Sequence, residues 1–443
     1  MTKTLFPIPE YDSMQTSYDQ PRATPRLRRP DRKQISLRPF DLDGLLAPDD
    51  PVRAVWQFVE RLDLSPLYAE IRAVEGHVGR TPIDPSIHMA LWLYATLEGI
   101  GSARALARLC ERHAAYMWLC GGVSVNYHSL ADFRVEHGEI LDELLTQSVA
   151  SLMAEELVEM KRVAQDGVRV RASAGAGSFR RKKTLEQCIK EAQEQLEALR
   201  QELEADPGAT TRRQKAARER AADERKQRVA KALAHVPEVQ AKKKAKDKTK
   251  ARVSTTDPEA RVMKMADGGF RPAYNGQFAV DTKTQVIVGV DVSNSGSDQN
   301  KMPPMVEQLK GRYGNVPDEI LVDGGFVSHD AIEQVSKGEQ GCTVYAPVPK
   351  PKDNTRDPHV PLPADSETIA SWRVRMGRQE AKEVYKERAS TVECVNAIAR
   401  NRGLQRFLVR SCRKVKAVLL WFALAHNLMR AIALRSAVSI SAA

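Results

Sequence analysis

A long helical interruption inside a series of strand-forming segments most restricts what this chain can become. Leu185, Ile189, Ala192, Leu196, Leu199 and Leu203 recur at steps of four and three, the spacing of a heptad seam. Pro207-Gly208 stops that run, and a second, Arg- and Lys-rich helical stretch follows through Ala216, Ala217, Ala221, Val229 and Leu233. Two helices joined by so short a turn fold back on each other, so 180–255 is expected to be a basic antiparallel coiled-coil hairpin. It ends in the basic run Lys242 to Lys250, opened by Lys242, Lys243 and Lys244. A flexible solvated loop is the preferred reading of these lysines, with contact to DNA second.

Strand patterns flank the interruption. Val163, Val168 and Val170 mark a strand within Lys161 to Ala172, with Asp166-Gly167 inside it. After the hairpin, Arg261 to Met265 precedes the turn Asp267-Gly268-Gly269, and Gln277 to Asp281 precedes Thr284 to Val292. Pro303 to Leu309 reads as helix, Glu319 to Val322 and Thr343 to Pro347 as strands, and Trp372 to Leu408 as largely helical. Strands interleaved with helices predict an α/β domain over 161–437, interrupted after its first strand.

The region 46–160 has helical periodicity instead. Val55, Phe58, Val59 and Leu62 share one face, Pro82 and Pro85 open an apolar helix closed by Gly99 and Gly101, and Ser102 is placed to cap the next. Tyr127-His128-Ser129-Leu130 leads into a further helix carrying Arg134. Short helices with tight turns and arginines such as Arg104 and Arg134 suit a helix-turn-helix-like DNA-binding bundle, and a purely structural bundle fits almost as well. Residues 1–45, with PRATPRLRRPDRK, read as a basic irregular arm that either touches phosphate or is simply solvated.

The net charge of +11 favours a polyanionic partner, although solubility alone also accounts for it. Six scattered cysteines without CxxC spacing read as incidental thiols of a reduced cytoplasmic protein. The opening residues lack a signal-peptide pattern. Val415 to Leu434, broken by His426, Asn427 and Arg430, is expected to be a buried core helix and not a membrane span.

Phosphoryl transfer needs positioning and charge stabilisation, which two divalent ions ~4 Å apart supply. Mg²⁺ takes oxygen ligands, so a few converging carboxylates suffice. Asp166 interrupts an apolar strand, where an acid is costly unless paired or bound to metal. Asp323 ends Ile320-Leu321-Val322, at the kind of strand end where ligand sites collect. Glu393 shares a helical face with Tyr385, Asn396 and Arg400, which favours it over Glu387 and Glu380. Taken singly, Asp-Gly is as readily an ordinary turn, and Glu393 a solvent-facing helix residue.

The segments VAQDGVRVRASAG, STTDPEARVMK, PAYNGQFAVD, ILVDGGF and YKERASTVECVNA, in this order, closely resemble insertion-sequence transposases of the DDE superfamily. GRTPIDPSIHMALWLYATLEGIGSARAL and NYHSLADFR resemble their helical N-terminal domain. The resemblance implies an RNase H-like mixed-sheet catalytic domain, with Asp166, Asp323 and Glu393 as catalytic carboxylates and ligands of two Mg²⁺ ions, replaceable by Mn²⁺. It also implies double-stranded DNA partners, the element's ends and a target, joined in a synaptic complex in which a homodimer is expected. The family's Tyr, Arg, Glu and Lys signature maps onto Tyr385, Arg388, Glu393 and Arg400. Here the Arg-to-Glu gap is one residue longer than the commonest form, and Arg replaces Lys at the last position. Phe326 is read as a core aromatic, with base stacking as the alternative, and Trp372, Arg373 and Arg375 as candidates for the DNA path.

Overall fold

Five of the seven N-terminal helices begin where a short polar side chain accepts from a free amide donor or a proline removes one, as expected at helix starts. In the computed structural model, which describes residues 41–73, 81–205, 211–338, 341–351 and 356–442, Asp50 caps α1 (Pro51–Glu60). Proline opens α2 (Ser65–Ala69), Asp84 caps α3 (Pro85–Leu97), and Ser102 caps α4 (Ala103–Cys110) by accepting from the Ala105 amide. After α5 (Ala114–Cys120), Asn126 caps α6 (Tyr127–Glu136), and α7 (Gly138–Ala154) completes the group. Val52, Val55 and Val59 of α1 face inward, and α3 is buried on almost every side from Pro85 to Ala95. Ten of its residues are therefore core, which explains why α3 has little amphipathic contrast in sequence.

The chain then enters β1 (Arg162–Arg171) and the short β2 (Phe179–Arg180). Helices α8 (Lys182–Ala205) and α9 (Arg212–Ala234) follow, with α10 (Val236–Ala241) and β3 (Val253–Ser254), which pairs with β2. Arg225 reaches Gln195 and Arg218 reaches Glu202, so α8 and α9 run side by side in opposite senses. Leu185, Ala192 and Leu196 are buried, whereas the side chain of Leu203 and the turn at Pro207-Gly208 lie outside the described residues. The lysine run corrects the loop expectation: Lys242 ends α10 and pairs with Glu238, and Ala245–Lys250 is a 3-10 helix. Lys243 and Lys244 are exposed between them. The basic arm expected over 1–45 lies, up to residue 40, outside the described residues.

A six-stranded mixed sheet is assembled around β1. β4 (Arg261–Lys264), β5 (Phe270–Asp281) and β6 (Ile287–Ser293) come first, then α11 (Met302–Tyr313), β7 (Glu319–Leu321), α12 (His329–Ser336) and β8 (Thr343–Tyr345). The strand order is β4-β5-β1-β7-β8, with β6 sharing the outer edge of β5. β1 pairs antiparallel with β5 and parallel with β7, and β7 pairs parallel with β8. Every residue of β5 from Pro272 onward is buried, because the strand is central and covered on both faces.

Helices α13 (Glu367–Gly377), α14 (Gln379–Arg388) and α15 (Cys394–Asn401) precede the last helix, α16 (Cys412–Ala442). By length and composition α16 passes for a membrane span, but 72% of its apolar stretch is buried inside the protein. Its polar interruptions explain themselves. The Asn427 side chain accepts from the Ile287 amide and donates to the Ile287 carbonyl, both at 2.8 Å, extending the β6 edge. His426 donates to the Gln285 carbonyl and Arg430 to that of Thr284. The same helix sets Phe422 against Phe278 of β5, and Trp421 Nε1 donates to the Arg134 carbonyl of α6. One hydrophobic core therefore runs from Val52 to Ala431, across the sheet and the N-terminal helices alike.

Candidate active site

The register of two parallel strands brings the first two acids together. The last registered pair of β1 and β7 is Ala164 with Leu321. Asp166 and Asp323 each stand two residues beyond it, side by side where the strands diverge. Asp323 turns there, its Oδ1 accepting from the Gly325 amide at 2.7 Å. Between Gln165 and Val170 no strand among the described residues covers this edge of β1, and the next cross-strand contact is an isolated bridge from Arg171 to Arg406. The site thus lies in a notch in the sheet.

Glu393 arrives from a distorted helix. Ala389–Glu393 forms a π turn between α14 and α15, with i→i+5 bonding in place of i→i+4. A π turn accommodates one extra residue, which is the residue by which the Arg-to-Glu spacing is lengthened here. In an ideal α-helix of 3.6 residues per turn, positions five apart point to different sides. Here Arg388 and Glu393 meet, Nη1 to Oε1 at 2.7 Å. The other arm of Arg388 pairs with Asp166 Oδ1 at 3.0 Å, and Asn396 donates to Asp166 Oδ2 at 3.0 Å. The guanidinium therefore bridges two of the three acids from a buried position.

Electrostatics follow from this layout. Burial pushes the Asp166 carboxyl up to about 6; the Arg388 charge opposes that rise, and Asp323 and Asp298 add to it. Tyr385 is half-buried, and burial raises its hydroxyl while Arg388 beside it acts the other way. Among the described residues no group of three or more His, Cys, Asp or Glu side chains lies close enough to hold a metal ion. The donor chemistry nonetheless suits a hard cation: carboxylate oxygens gathered at a strand end, with a cation, the Arg388 guanidinium, already seated between two of them.

Behind Asp166, on the opposite face of β1, is a polar layer that sequence reading missed. Asp298 Oδ1 accepts from Asn275 Nδ2 at 2.6 Å and from Gln277 Nε2 at 2.7 Å, while Gln165 donates to Gln277 and to the Lys301 carbonyl. Gly167 fits over this layer only because it lacks a side chain; a Cβ there would stand 2.5 Å from Asp298 Oδ1. The available signal was the alternation Gln165, Gly167, Arg169 opposite Asn275 and Gln277.

Of the other expected site residues, Arg104 is exposed on α4 with its guanidinium over the Tyr127 ring. Arg134 requires correction: it lies inside the helical region against Trp92 and donates to the Gly101 carbonyl, so it is not free to meet phosphate. The DNA-path candidates also turn inward. Trp372 is fully buried, Arg373 forms a buried pair with Asp365, and Arg375 donates to the Val344 carbonyl. Phe326 is core. Glu387 is engaged by Arg162, and Glu380 sits in the first turn of α14. Arg400 is exposed and lines a cavity with Gly167 and Arg406.

Two family models match the chain. Residues 239–428, which include Asp323 and Glu393, match a transposase DDE domain, and residues 40–136 match a transposase domain (DUF772). Asp166 and its strand fall between the two matches. No curated protein and no solved structure gives a match. With both family domains present in order, the chain belongs to the insertion-sequence transposases of the DDE type.

Proposed function

We propose that the protein binds the terminal repeats of its own insertion sequence, cuts DNA there in a metal-dependent reaction, and joins the freed 3′ end to target DNA. The observation that carries this reading is the meeting of Asp166 and Asp323 at the divergence of β1 and β7, with Glu393 linked to Asp166 through Arg388. In this reading 161–437 is an RNase H-like catalytic domain, 46–160 contacts DNA, and the basic hairpin of 180–255 is a coiled-coil insertion that supports assembly of a homodimer on two ends. The protein acts in the cytoplasm, on the nucleoid.

Asp166, Asp323 and Glu393 would hold two Mg²⁺ ions, or Mn²⁺ in their place. Such ions activate the attacking oxygen and stabilise the leaving one. The chain's own groups do the rest. Asn396 fixes the Asp166 carboxylate through Oδ2, leaving its other oxygen to Arg388. Arg388, freed from its two acids, and Tyr385 beside it are suited to hold the phosphate being cut. Arg400, Arg104 and Lys242, Lys243 and Lys244 contribute phosphate contacts further along the DNA. In-line attack by water or a 3′-hydroxyl needs no protein nucleophile.

The test uses purified protein and a labelled duplex carrying the end of the encoding element, with Mg²⁺ or Mn²⁺. Cleavage that leaves a 3′-hydroxyl and is lost in Asp323→Asn is expected, with joined products when target DNA is added. Cleavage without joining would make the protein a nuclease. Tight binding of the end without cleavage under either metal would make it a DNA-binding derivative of a transposase.

A further inference from the structure

Along β1 from Asp166 lies a basin of which the reaction scheme above uses only Arg400. Its walls carry Arg169 and Arg171 from β1, Arg271 from β5, Arg400 from α15 and Arg406 from the loop after it, and Asp267 is the single carboxylate among its lining residues. The cavity encloses about 430 Å³ and is floored by Gly167, the neighbour of Asp166.

The backbone explains why the charges collect there. Beyond the notch, the Arg171 amide donates to the Gln405 carbonyl and the Phe407 amide to the Arg171 carbonyl, so 405–407 serves as a short substitute strand. That pairing sets Arg171 and Arg406 side by side. Arg169 is held at the opposite wall, its Nη1 donating to the Lys264 carbonyl and its Nη2 3.6 Å from Asp298. Arg271 pairs with Asp267 at 2.7 Å. Among the described residues Arg171, Arg400 and Arg406 have no side-chain hydrogen bond or ion pair, and all three are exposed. Like charges crowded around one concavity repel each other unless an anion lies among them. Planar guanidinium forks bind phosphate oxygens two at a time, which suits a phosphodiester more than a compact ion.

We infer that this basin, through Arg171, Arg406, Arg169 and Arg400, seats the sugar-phosphate backbone of the DNA strand that carries the scissile bond, further along that strand from the carboxylates. The inference rests on the DNA-cutting reading and adds to it the path the strand takes. The edge of β1 supports it: Gly167 lines the basin and, with Asp166, belongs to the stretch that no described strand covers, so a backbone can pass from the basin around that edge to Asp166.

The experiment titrates the labelled end duplex into wild type, Arg171→Gln/Arg406→Gln and Arg171→Lys/Arg406→Lys over a range of salt concentrations. Each phosphate contact contributes about 0.9 to the slope of log affinity against log salt. The glutamine pair is expected to bind more weakly with a slope smaller by roughly two, and the lysine pair to keep most of the slope. Neither arginine holds the fold through its side chain, so an unchanged melting temperature is expected in all three proteins. If wild type binds and cuts the end while the glutamine pair shows unchanged affinity and slope, the basin assignment is overturned and the functional reading stands. If wild type neither binds nor cuts the end, that reading fails and the basin assignment falls with it.

Discussion

Replacing Gly167 by alanine adds one methyl group to the middle of β1 and tests the support beneath Asp166. The new Cβ would stand 2.5 Å from Asp298 Oδ1, 2.6 Å from Asn275 Oδ1 and 2.7 Å from Gln277 Nε2. All three neighbours are buried, and Asp298 Oδ1 already accepts two short bonds, so moving it away from the methyl breaks at least one of them. A hydrogen bond to a charged group is worth about 1.5–3 kcal/mol, and overpacking adds roughly 1–3 kcal/mol. The stiffer unfolded chain returns about 0.4–1 kcal/mol. A net loss of about 2–4 kcal/mol is therefore expected, read as a lower urea midpoint at constant slope. Gly177→Ala is the control, because nothing lies within 4 Å of its added Cβ. End cleavage should fall as well, since the only way to relieve the clash other than breaking the polar layer is to shift β1 and with it Asp166. Equal stability for both alanine variants, with cleavage intact, would refute the claim that the polar layer is rigid and that Gly167 is required by it.

Two further outcomes test other parts of the molecule. Arg388→Met removes the guanidinium between Asp166 and Glu393 and should cost about 2–4 kcal/mol without metal, with Mg²⁺ raising the melting temperature of the variant more than that of wild type; an equal Mg²⁺ response in the two proteins would count against a shared cation position. Burial pulls His426 from its ordinary 6.5 down to about 4, so the unfolded chain binds its proton first and stability falls as pH drops through that window. This group should cost about 2 kcal/mol between ~pH 7.5 and ~pH 5, and nothing above ~pH 7. His426→Gln keeps a donor for the Gln285 carbonyl, and comparing its urea midpoints with those of wild type isolates the contribution; parallel losses in both proteins would remove His426 as the source.

What the sequence revealed depended on whether a signal was local. The strand around Asp166, the cap at Ser102 and the buried nature of α16 all follow from neighbours within a turn or two, and the structure has them where expected. β5 was legible only from Gln277, because Pro272, Asn275 and Gly276 in its earlier part are residue types that strands disfavour. Long cationic side chains misled for another reason. Arg134, Arg373 and Arg375 each end against a Trp or Tyr ring and a buried acceptor contributed by a distant or loop segment, and no pattern around the arginine announces that acceptor. Asp298 was hidden likewise, since its partners Asn275 and Gln277 are brought to it only by the sheet. The extra residue between Arg388 and Glu393 looked like a departure from the family signature until the π turn absorbed it.

The placement of α16 also bears on how such a protein is made. Helices α3, α6 and α7 are completed by contacts with a segment that follows everything else in the chain, as are β5 and β6. During synthesis the N-terminal helices emerge first, yet the surface they bury against α16 stays open until residues beyond 412 have left the ribosome. Contacts this distant in sequence slow folding and leave apolar surface exposed meanwhile. A chain terminated before that point would therefore be a substrate for proteases and chaperones and not a competing DNA-binding fragment.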